Sequence, residues 1–360
     1  MSIWKIYGGK WWDGQKLADN KELTYSVSGD TDREFHLSEN DIVCGGLVDM
    51  HCHLWAKGIH KTMGVAAQAI ASSGVVACVD GGSFGYLYWP HADRYWTATS
   101  PIITRSYLNI REEGLREWPC DRPTLPNEID VDLLSDIAKR SKGRIIGIKA
   151  HLGFGKDAPT DIGWMEKARE IADKANLPIA VHITNSFLDI EKILSYFKSG
   201  DILIHVYQGK KCAPIDEQGR YSQAVIEAHK RGVIMDGAVG INHLSWRVFK
   251  AAQEAQFEAD VVTTDAVGIS WQDKPFRDLP HVMSAFMNAG MDVQTVLKAV
   301  TTRPADIMGI SYEPHANLLV LSRRDKPTEF VDSLGETLAG GFEYETTLFA
   351  LGDKPVVIKI

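Results

Sequence analysis

The sequence lacks the features that would direct it to an oxidising compartment, a membrane or a nucleic acid. Its cysteines are odd in number and include no CxxC pair; they are Cys44, Cys52, Cys78, Cys120 and Cys212. Neither the N-terminal segment nor any later stretch approaches the roughly 18 apolar residues that cross a bilayer. No run of Lys and Arg is present, and 39 basic against 47 acidic residues give a formal charge of −8. We therefore expect reduced thiols, a cytoplasmic location and a small-molecule substrate rather than a nucleic acid or membrane partner.

The composition is sufficient for a large hydrophobic core. Hydrophobic residues make up 44% and charged residues 24% of the 360 residues, which are ordinary values for a globular protein. These values exclude global disorder and predict one large domain with an appendage. They permit a homo-oligomer, although no feature of the sequence requires one.

Short apolar runs recur along the chain from residue 46, and each is followed by a longer segment that contains helical periodicity. The eight runs are 46–53, 74–82, 100–109, 144–152, 177–184, 201–206, 232–238 and 259–267. Intervening segments such as GWMEKAREIADKANL are amphipathic and end in helix stop signals. Eight such units, whose strands are apolar on both faces, predict an α/β fold in which a parallel sheet closes into a (β/α)8 TIM barrel rather than staying open.

The two ends of the chain have a different pattern. Short runs broken by Gly, Asp and Asn occupy residues 1–44, and similar runs return in residues 312–360. This pattern is typical of antiparallel strands. We expect both ends to form one small β-sandwich domain beside a barrel domain of residues 45–311.

Residues that can bind a metal stand at the predicted carboxyl ends of the barrel strands, where the fold opens to solvent. They are His51, His53, Lys149, His182, His205 and Asp265. Because side chains alternate along a strand, His51 and His53 point to one locus while Cys52 points away. Imidazoles and a carboxylate suit divalent zinc, manganese or iron. A structural role is common for a single such histidine, but the joint pattern indicates a metal site.

Lys149 lies between two apolar residues on a predicted buried strand. A lone buried ammonium group is costly, so this lysine must lose its charge, pair with an acid such as Asp265, or be chemically modified. Reaction with carbon dioxide would convert its amine to a carbamate, an anion that can bridge two cations. The residues alone leave the ion pair and the carbamate open.

The ordered set of motifs resembles the amidohydrolase superfamily with a binuclear metal centre, and within it the dihydroorotase-like deacetylase branch. The motifs are DMHCH at 49–53, GIKA at 147–150, VHI at 181–183, His205 and Thr264-Asp265, together with VVACVDGGS, LNIREEG, GDILIHVYQGK and AVTTRPADIMG. The resemblance covers roughly residues 40–310. It implies a barrel with a companion β sandwich.

The resemblance also implies a role for each candidate ligand. The His51/His53 pair and Asp265 would hold the more buried of two divalent ions, with zinc favoured over manganese or iron. His182 and His205 would hold the more exposed ion, and carbamylated Lys149 would bridge both together with a hydroxide. Asp265 would in addition be the catalytic general base and acid. The implied reaction is hydrolysis of an amide or carboxylic ester bond in an N-acyl amino acid or acetylated hydroxy-acid substrate.

Further residues at the predicted barrel mouth are candidate substrate contacts, with an ordinary structural role as the alternative for each. They are His151, Arg105, Arg111, His243, Trp55 and Trp271. The two arginines could clamp a carboxylate, and the tryptophans could form apolar walls. His243 is the last residue of the stretch DGAVGINH at 236–243. This stretch departs from the His-Gly element that the branch has after the seventh strand. This departure leaves the acyl-group specificity open.

Other activities remain as alternatives. A cyclic amide or lactone is the leading alternative substrate, a phosphoester is less favoured, and a non-catalytic barrel scaffold is the alternative from another class. The stretch GGSFG at 81–85 also matches the G-x-S-x-G pattern of a serine nucleophile. The aromatic run and proline that follow are a poor helix start, which favours a glycine-rich loop instead.

Overall fold

The computed structural model describes residues 1–57, 59, 63–117, 123–155, 157–271 and 276–359. The strands before the barrel are β1 (Ser2–Tyr7), β2 (Lys10–Trp12), β3 (Leu17–Asp19), β4 (Glu22–Val27), β5 (Arg33–His36) and β6 (Ile42–Cys44). The barrel strands are β7 (Leu47–Cys52), β8 (Val75–Asp80), β9 (Ile103–Asn109), β10 (Ile145–His151), β11 (Ile179–His182), β12 (Ile202–Ile204) and β13 (Ile234–Asp236). The C-terminal strands are β14 (Leu318–Val331), β15 (Thr337–Leu351) and β16 (Lys354–Ile358).

Helices follow most of the barrel strands. They are α1 (Ala67–Ser72), α2 (Trp89–Thr99), α3 (Val131–Arg140), α4 (Ala158–Ala175), α5 (Ile190–Leu194), α6 (Gln223–Lys230), α7 (Trp246–Glu254), α8 (Leu279–Asn288), α9 (Val293–Ala299) and α10 (Thr302–Met308). Helix α4 illustrates how the sequence sets their limits. The Asp157 side chain accepts the Thr160 N–H at 2.9 Å at its start, and Asn176 ends it in the left-handed region, at a φ of 55°.

Strands β7 to β13 are parallel and neighbour one another in chain order. The eighth predicted strand, residues 259–267, is not regular, but it closes the barrel through single parallel bridges. Val261 pairs with Asp236 at the end of β13, and Ala266 pairs with Cys52 at the end of β7. The barrel prediction is therefore confirmed, with one correction to its last strand. Regular pairing fails there because Asp265 has a φ of 47°, outside the strand region.

The closing segment is held by a buried carboxylate on the first barrel strand. Asp49 accepts the Thr264 hydroxyl at 2.6 Å and the Thr264 backbone N–H at 3.2 Å. Burial raises the pKa of Asp49 to about 7, although the Thr264 hydrogen bonds oppose this effect. This contact fixes the position of Asp265, the residue that follows.

The remaining strands form two further sheets, as the predicted β sandwich requires. The order is β4-β1-β5 in one sheet and β16-β15-β14-β6-β2-β3 in the other. Apolar side chains from both ends of the chain pack together here; they include Trp4, Ile6, Val27, Val320 and Leu348. The domain limits, 1–44 with 312–360 and 45–311, stay a prediction.

Two expectations about the chain concern membranes and thiols. Among the described helices, none has both the length and the apolar character that crossing a bilayer requires. Four cysteines are free thiols, namely Cys44, Cys52, Cys78 and Cys212. Cys120 lies outside the described residues.

Candidate metal centre

Two histidines and one carboxylate meet at the carboxyl end of β7. His53 Nε2 lies 3.1 Å from Asp265 Oδ1, and His51 Nε2 lies 3.5 Å from the same oxygen. All three side chains are buried. Each offers a potential ligand atom, and these atoms lie within 4.8 Å of one another. The alternation along β7 thus brings both imidazoles to one locus, as the sequence predicts.

The outer ring nitrogens of this histidine pair are bound by neighbouring side chains. Asp236 Oδ2 lies 2.9 Å from His51 Nδ1, and Ser83 Oγ lies 2.9 Å from His53 Nδ1. Such contacts fix the ring orientation and leave Nε2 available to a metal ion. His51 Nε2 is buried and has no hydrogen-bond partner within the part of the chain that the structure describes. An uncompensated buried nitrogen of this kind fits a site built for a cation.

A second group of imidazoles comes from His182, His205 and His243, whose ligand atoms also lie within 4.8 Å of one another. His205 Nδ1 lies 3.0 Å from the Ala238 carbonyl oxygen, so this nitrogen donates and Nε2 is left free. His243 Nδ1 lies 2.9 Å from the Thr184 hydroxyl. The structure therefore adds His243 to the nitrogen ligands that could hold a second ion.

Burial keeps these imidazoles neutral. It lowers the pKa of His51, His182 and His205, and it lowers the pKa of His243 to about 4. Burial would raise the pKa of Asp265, but the adjacent histidines more than offset this and hold it well below its usual value. Neutral imidazoles around an ionised carboxylate are the protonation states that metal binding needs.

Lys149 is buried on β10. Together with these histidines and Asp265 it lines one cavity, which is described below. Burial lowers the pKa of its amine to about 8, against the opposing charges of Asp265 and Asp236. A large fraction of the amine is therefore neutral near pH 8. Its stem lies against Gly82, where an added Cβ would be 2.7 Å from Lys149 Cγ.

The histidines and Asp265 lie at the base of a cavity with a free volume of about 210 Å³. Its described lining also includes apolar side chains, among them Leu115, Phe154, Ile241, Val267 and Ile269. Polar groups near its mouth come from Asn185, Lys210 and Asn242. Sequence reasoning missed these residues because it stopped at the strand ends, although the GDILIHVYQGK stretch already contains Lys210.

The candidate substrate contacts separate into two sets. His151 and His243 line the cavity, but Arg105, Arg111, Trp55 and Trp271 are not among its described lining residues. The arginine clamp and the tryptophan walls stay predictions. Arg105 donates to the Thr104 carbonyl, and Trp55 packs against Tyr95.

Arg111 lies over an aromatic side chain that lines the cavity. Its guanidinium carbon lies 4.1 Å from the centre of the Phe154 ring, and its nitrogens are buried. Burial lowers the pKa of Arg111 to about 10, and the charge of Glu117 opposes this effect. Arg111 therefore contacts the cavity wall at Phe154 but is not itself among the described lining residues.

Ser83, the serine of the GGSFG stretch, is completely buried. Its hydroxyl donates to Asp80 at 2.6 Å and contacts His53 Nδ1. Helix α2 begins only at Trp89, so no strand-to-helix elbow presents this serine. Ser83 orients a candidate metal ligand, and the glycine-rich loop interpretation agrees with the structure.

Gly81 offers a direct test of the site geometry. A Cβ added there would lie 2.4 Å from His51 Cδ2 and 3.1 Å from His53 Cε1. We expect Gly81→Ala to displace these rings and to lower zinc affinity about tenfold or more, as measured by competition with a chelating dye. Gly341→Ala is the control, since nothing lies within 4 Å of its added Cβ. Equal affinity of the two variants would contradict the packing described for His51.

The sequence is similar to curated proteins that are named deacetylases. No family model matches the chain. The chain is 26% identical over 300 residues to a deacetylase from Brucella anthropi, covering 81% of this chain and 74% of that protein. It is 25% identical over 300 residues to a deacetylase from Agrobacterium fabrum, covering 81% and 73%.

The fold is also found among solved structures. A crystal structure of a dihydroorotase superposes with a TM-score of 0.83 and 20% identity, covering 99% of this chain and 98% of that one. This likeness supports the barrel with its small β domain, while the sequence relatives and the motifs bear on the family. The chain is therefore similar in sequence to deacetylases and in fold to a dihydroorotase, and it is a hydrolytic enzyme.

Proposed function

We propose that the protein is a metal-dependent hydrolase that cleaves the amide bond of N-acyl amino acids or the ester bond of acetylated hydroxy acids. The observation that carries this proposal is the convergence of two ligand groups, His51/His53/Asp265 and His182/His205/His243, at the base of one cavity. A non-catalytic scaffold would have no need of this arrangement. The names of the two sequence relatives favour acyl-group removal over hydrolysis of a cyclic amide, a lactone or a phosphoester.

The proposed cofactors are two divalent ions, zinc in preference to manganese or iron. His51, His53 and Asp265 would hold one ion, and His182 and His205 would hold the other. Carbamylated Lys149 would lie between them. When bound, such a pair lowers the pKa of a water molecule and polarises the scissile carbonyl.

Asp265 is the group proposed to move the proton. Its Oδ1 faces His53, whereas its Oδ2 lies 3.6 Å from His243 Nε2 and 4.0 Å from His205 Nε2. Its low pKa keeps the carboxylate ready to accept the proton of the attacking water. Asp265 would then return that proton to the leaving nitrogen or oxygen, so that water and substrate give an acid and an amine or alcohol.

His151 lies beside the candidate ligands in the same cavity. His151 is half-buried on β10, two residues after Lys149, with its ring centre 3.9 Å from that of His182. Burial holds the pKa of His151 well below its usual value, so it is a neutral hydrogen-bonding group. We propose that His151 and His243 contact the substrate.

The reduced cysteines fit the proposed cytoplasmic location, and a homo-oligomer remains an expectation.

A substrate screen tests the reaction class. We expect protein reconstituted with zinc or manganese and bicarbonate to hydrolyse N-acetyl amino acids or acetylated hydroxy acids faster than cyclic amides, lactones or phosphoesters. Release of acetate by an enzyme-coupled assay is the measurement. Preferential opening of a cyclic amide, or no turnover of any acyl compound by metal-loaded protein, would refute the proposal.

Replacement of Asp265 by Asn tests the proton transfer. The amide cannot accept a proton, so we expect kcat to fall by about 10² to 10⁴. Metal content and circular dichroism serve as controls, because Asp265 is also a proposed ligand. Near-normal turnover would remove Asp265 as the proton acceptor.

Replacement of Lys149 by Ala tests the bridging position. We expect the variant to lose about one zinc ion per chain, measured by atomic emission, because the site loses an anionic ligand. Added acetate or propionate should restore part of the activity by taking the place of the carbamate. Lys139→Ala, which removes an exposed lysine from α3, is the control. Full metal content in the Lys149 variant would contradict the bridging role.

A further inference from the structure

The mouth of the cavity contains a lysine that no carboxylate neutralises within the described part of the chain. Lys210 Nζ donates to Asn242 Oδ1 at 2.7 Å. An amide oxygen carries no formal charge, so this contact orients the ammonium group without cancelling its charge. An ammonium group has three donors, and this bond uses one of them.

Lys210 is held in place by the loop that follows β12. Its backbone N–H donates to Gln208 Oε1 at 2.7 Å, and Gln208 Nε2 donates to the Lys211 carbonyl at 3.3 Å. Gln208 itself is fully buried. Asn242 comes from the loop after β13, directly before His243. Two loops thus fix the ammonium group at the edge of the cavity that holds the candidate metal ligands.

The other walls of the cavity are apolar, and this restricts the kind of molecule that can bind there. Leu115, Phe154, Ile241, Val267 and Ile269 give the cavity apolar surfaces. A molecule that satisfies both parts has an apolar body and one anionic end. The alternative cation, Arg111, lies over the Phe154 ring, 4.1 Å from its centre, and is not among the described lining residues of the cavity.

We propose that Lys210, positioned by Asn242, binds the carboxylate of the substrate. The substrate class is then an N-acyl amino acid or acetylated hydroxy acid that has a free carboxylate and an apolar side chain. This inference rests on the proposed function and names the substrate of the same site. Lys210 is a specificity residue, since it contacts the carboxylate and not the bond that breaks.

The test measures binding without turnover on zinc-loaded protein. The probes are N-methanesulfonyl-phenylalanine and its primary carboxamide, both racemic, which differ only in the charge of one end. The sulfonamide replaces the scissile amide, so hydrolysis is not needed for the measurement. Titration calorimetry on the wild-type protein should give the acid about tenfold or more higher affinity than the carboxamide, because the carboxylate bonds to an ammonium group.

Two variants assign this preference to Lys210. We expect Lys210→Met to remove it by weakening the acid about tenfold while leaving the carboxamide within about twofold. Lys211→Met is the matched control and should keep the preference, because that ammonium group lies over the Phe187 ring, 3.6 Å from its centre. Equal affinities for acid and carboxamide in the wild type, including no binding of either, would overturn the inference, as would an unchanged preference in Lys210→Met.

The outcomes separate this inference from the proposed function. Hydrolysis of N-acetyl amino acids and their carboxamides with equal kcat/KM would support the reaction class and overturn the role of Lys210. Preferential binding of the acid by a protein that hydrolyses no acyl compound would refute the reaction class and support the anion site.

Discussion

The carboxylate of Asp265 lies between the two groups of imidazoles, and the geometry of the site depends on it. Its oxygens come within 4.0 Å of nitrogens from His51, His53, His205 and His243. A buried carboxylate among neutral imidazole nitrogens is costly unless a cation is shared among them. Burial lowers the pKa of His51, His205 and His243, and the buried His51 Nε2, which has no hydrogen-bond partner among the described residues, is consistent with such a cation.

This position of Asp265 requires an unusual backbone. Its φ of 47° is left-handed, and the neighbouring Gly240 has a φ of 48°. A Cβ at Gly240 would lie 2.3 Å from Asp265 Oδ2, so only glycine leaves room for the carboxylate. Left-handed backbone at a non-glycine residue costs about 1–3 kcal/mol and persists where surrounding contacts fix it. The Asp49 bonds to Thr264 are such contacts, which explains why the eighth barrel segment pairs only through single bridges.

The sequence predicts both the barrel and the strand ends at which the candidate ligands lie. Both predictions follow from the periodicity of apolar residues and from the spacing of the strands along the chain. Alternation along β7 is a property of any strand, so the convergence of His51 and His53 needed no knowledge of distant residues. Loop residues are different. The direction of Trp55 or Trp271 depends on packing that no local pattern encodes, and Arg111 lies over Phe154 through a contact that only the folded chain creates. The same limit explains why Lys210 and Asn242, from two loops, were not paired by sequence reasoning.

The GGSFG stretch shows how one pattern can serve two physical purposes. In a serine hydrolase its glycines permit a sharp turn that exposes the nucleophile. Here Gly81 and Gly82 make room for His51 and Lys149, and Ser83 is turned inward to bind His53. These glycines supply space beside the candidate metal ligands and do not strain the backbone at the serine. The rigid strand ends and their glycine neighbours therefore determine the chemistry at the base of the cavity, while the loops that contain Lys210 and Asn242 are free to determine which molecule reaches it.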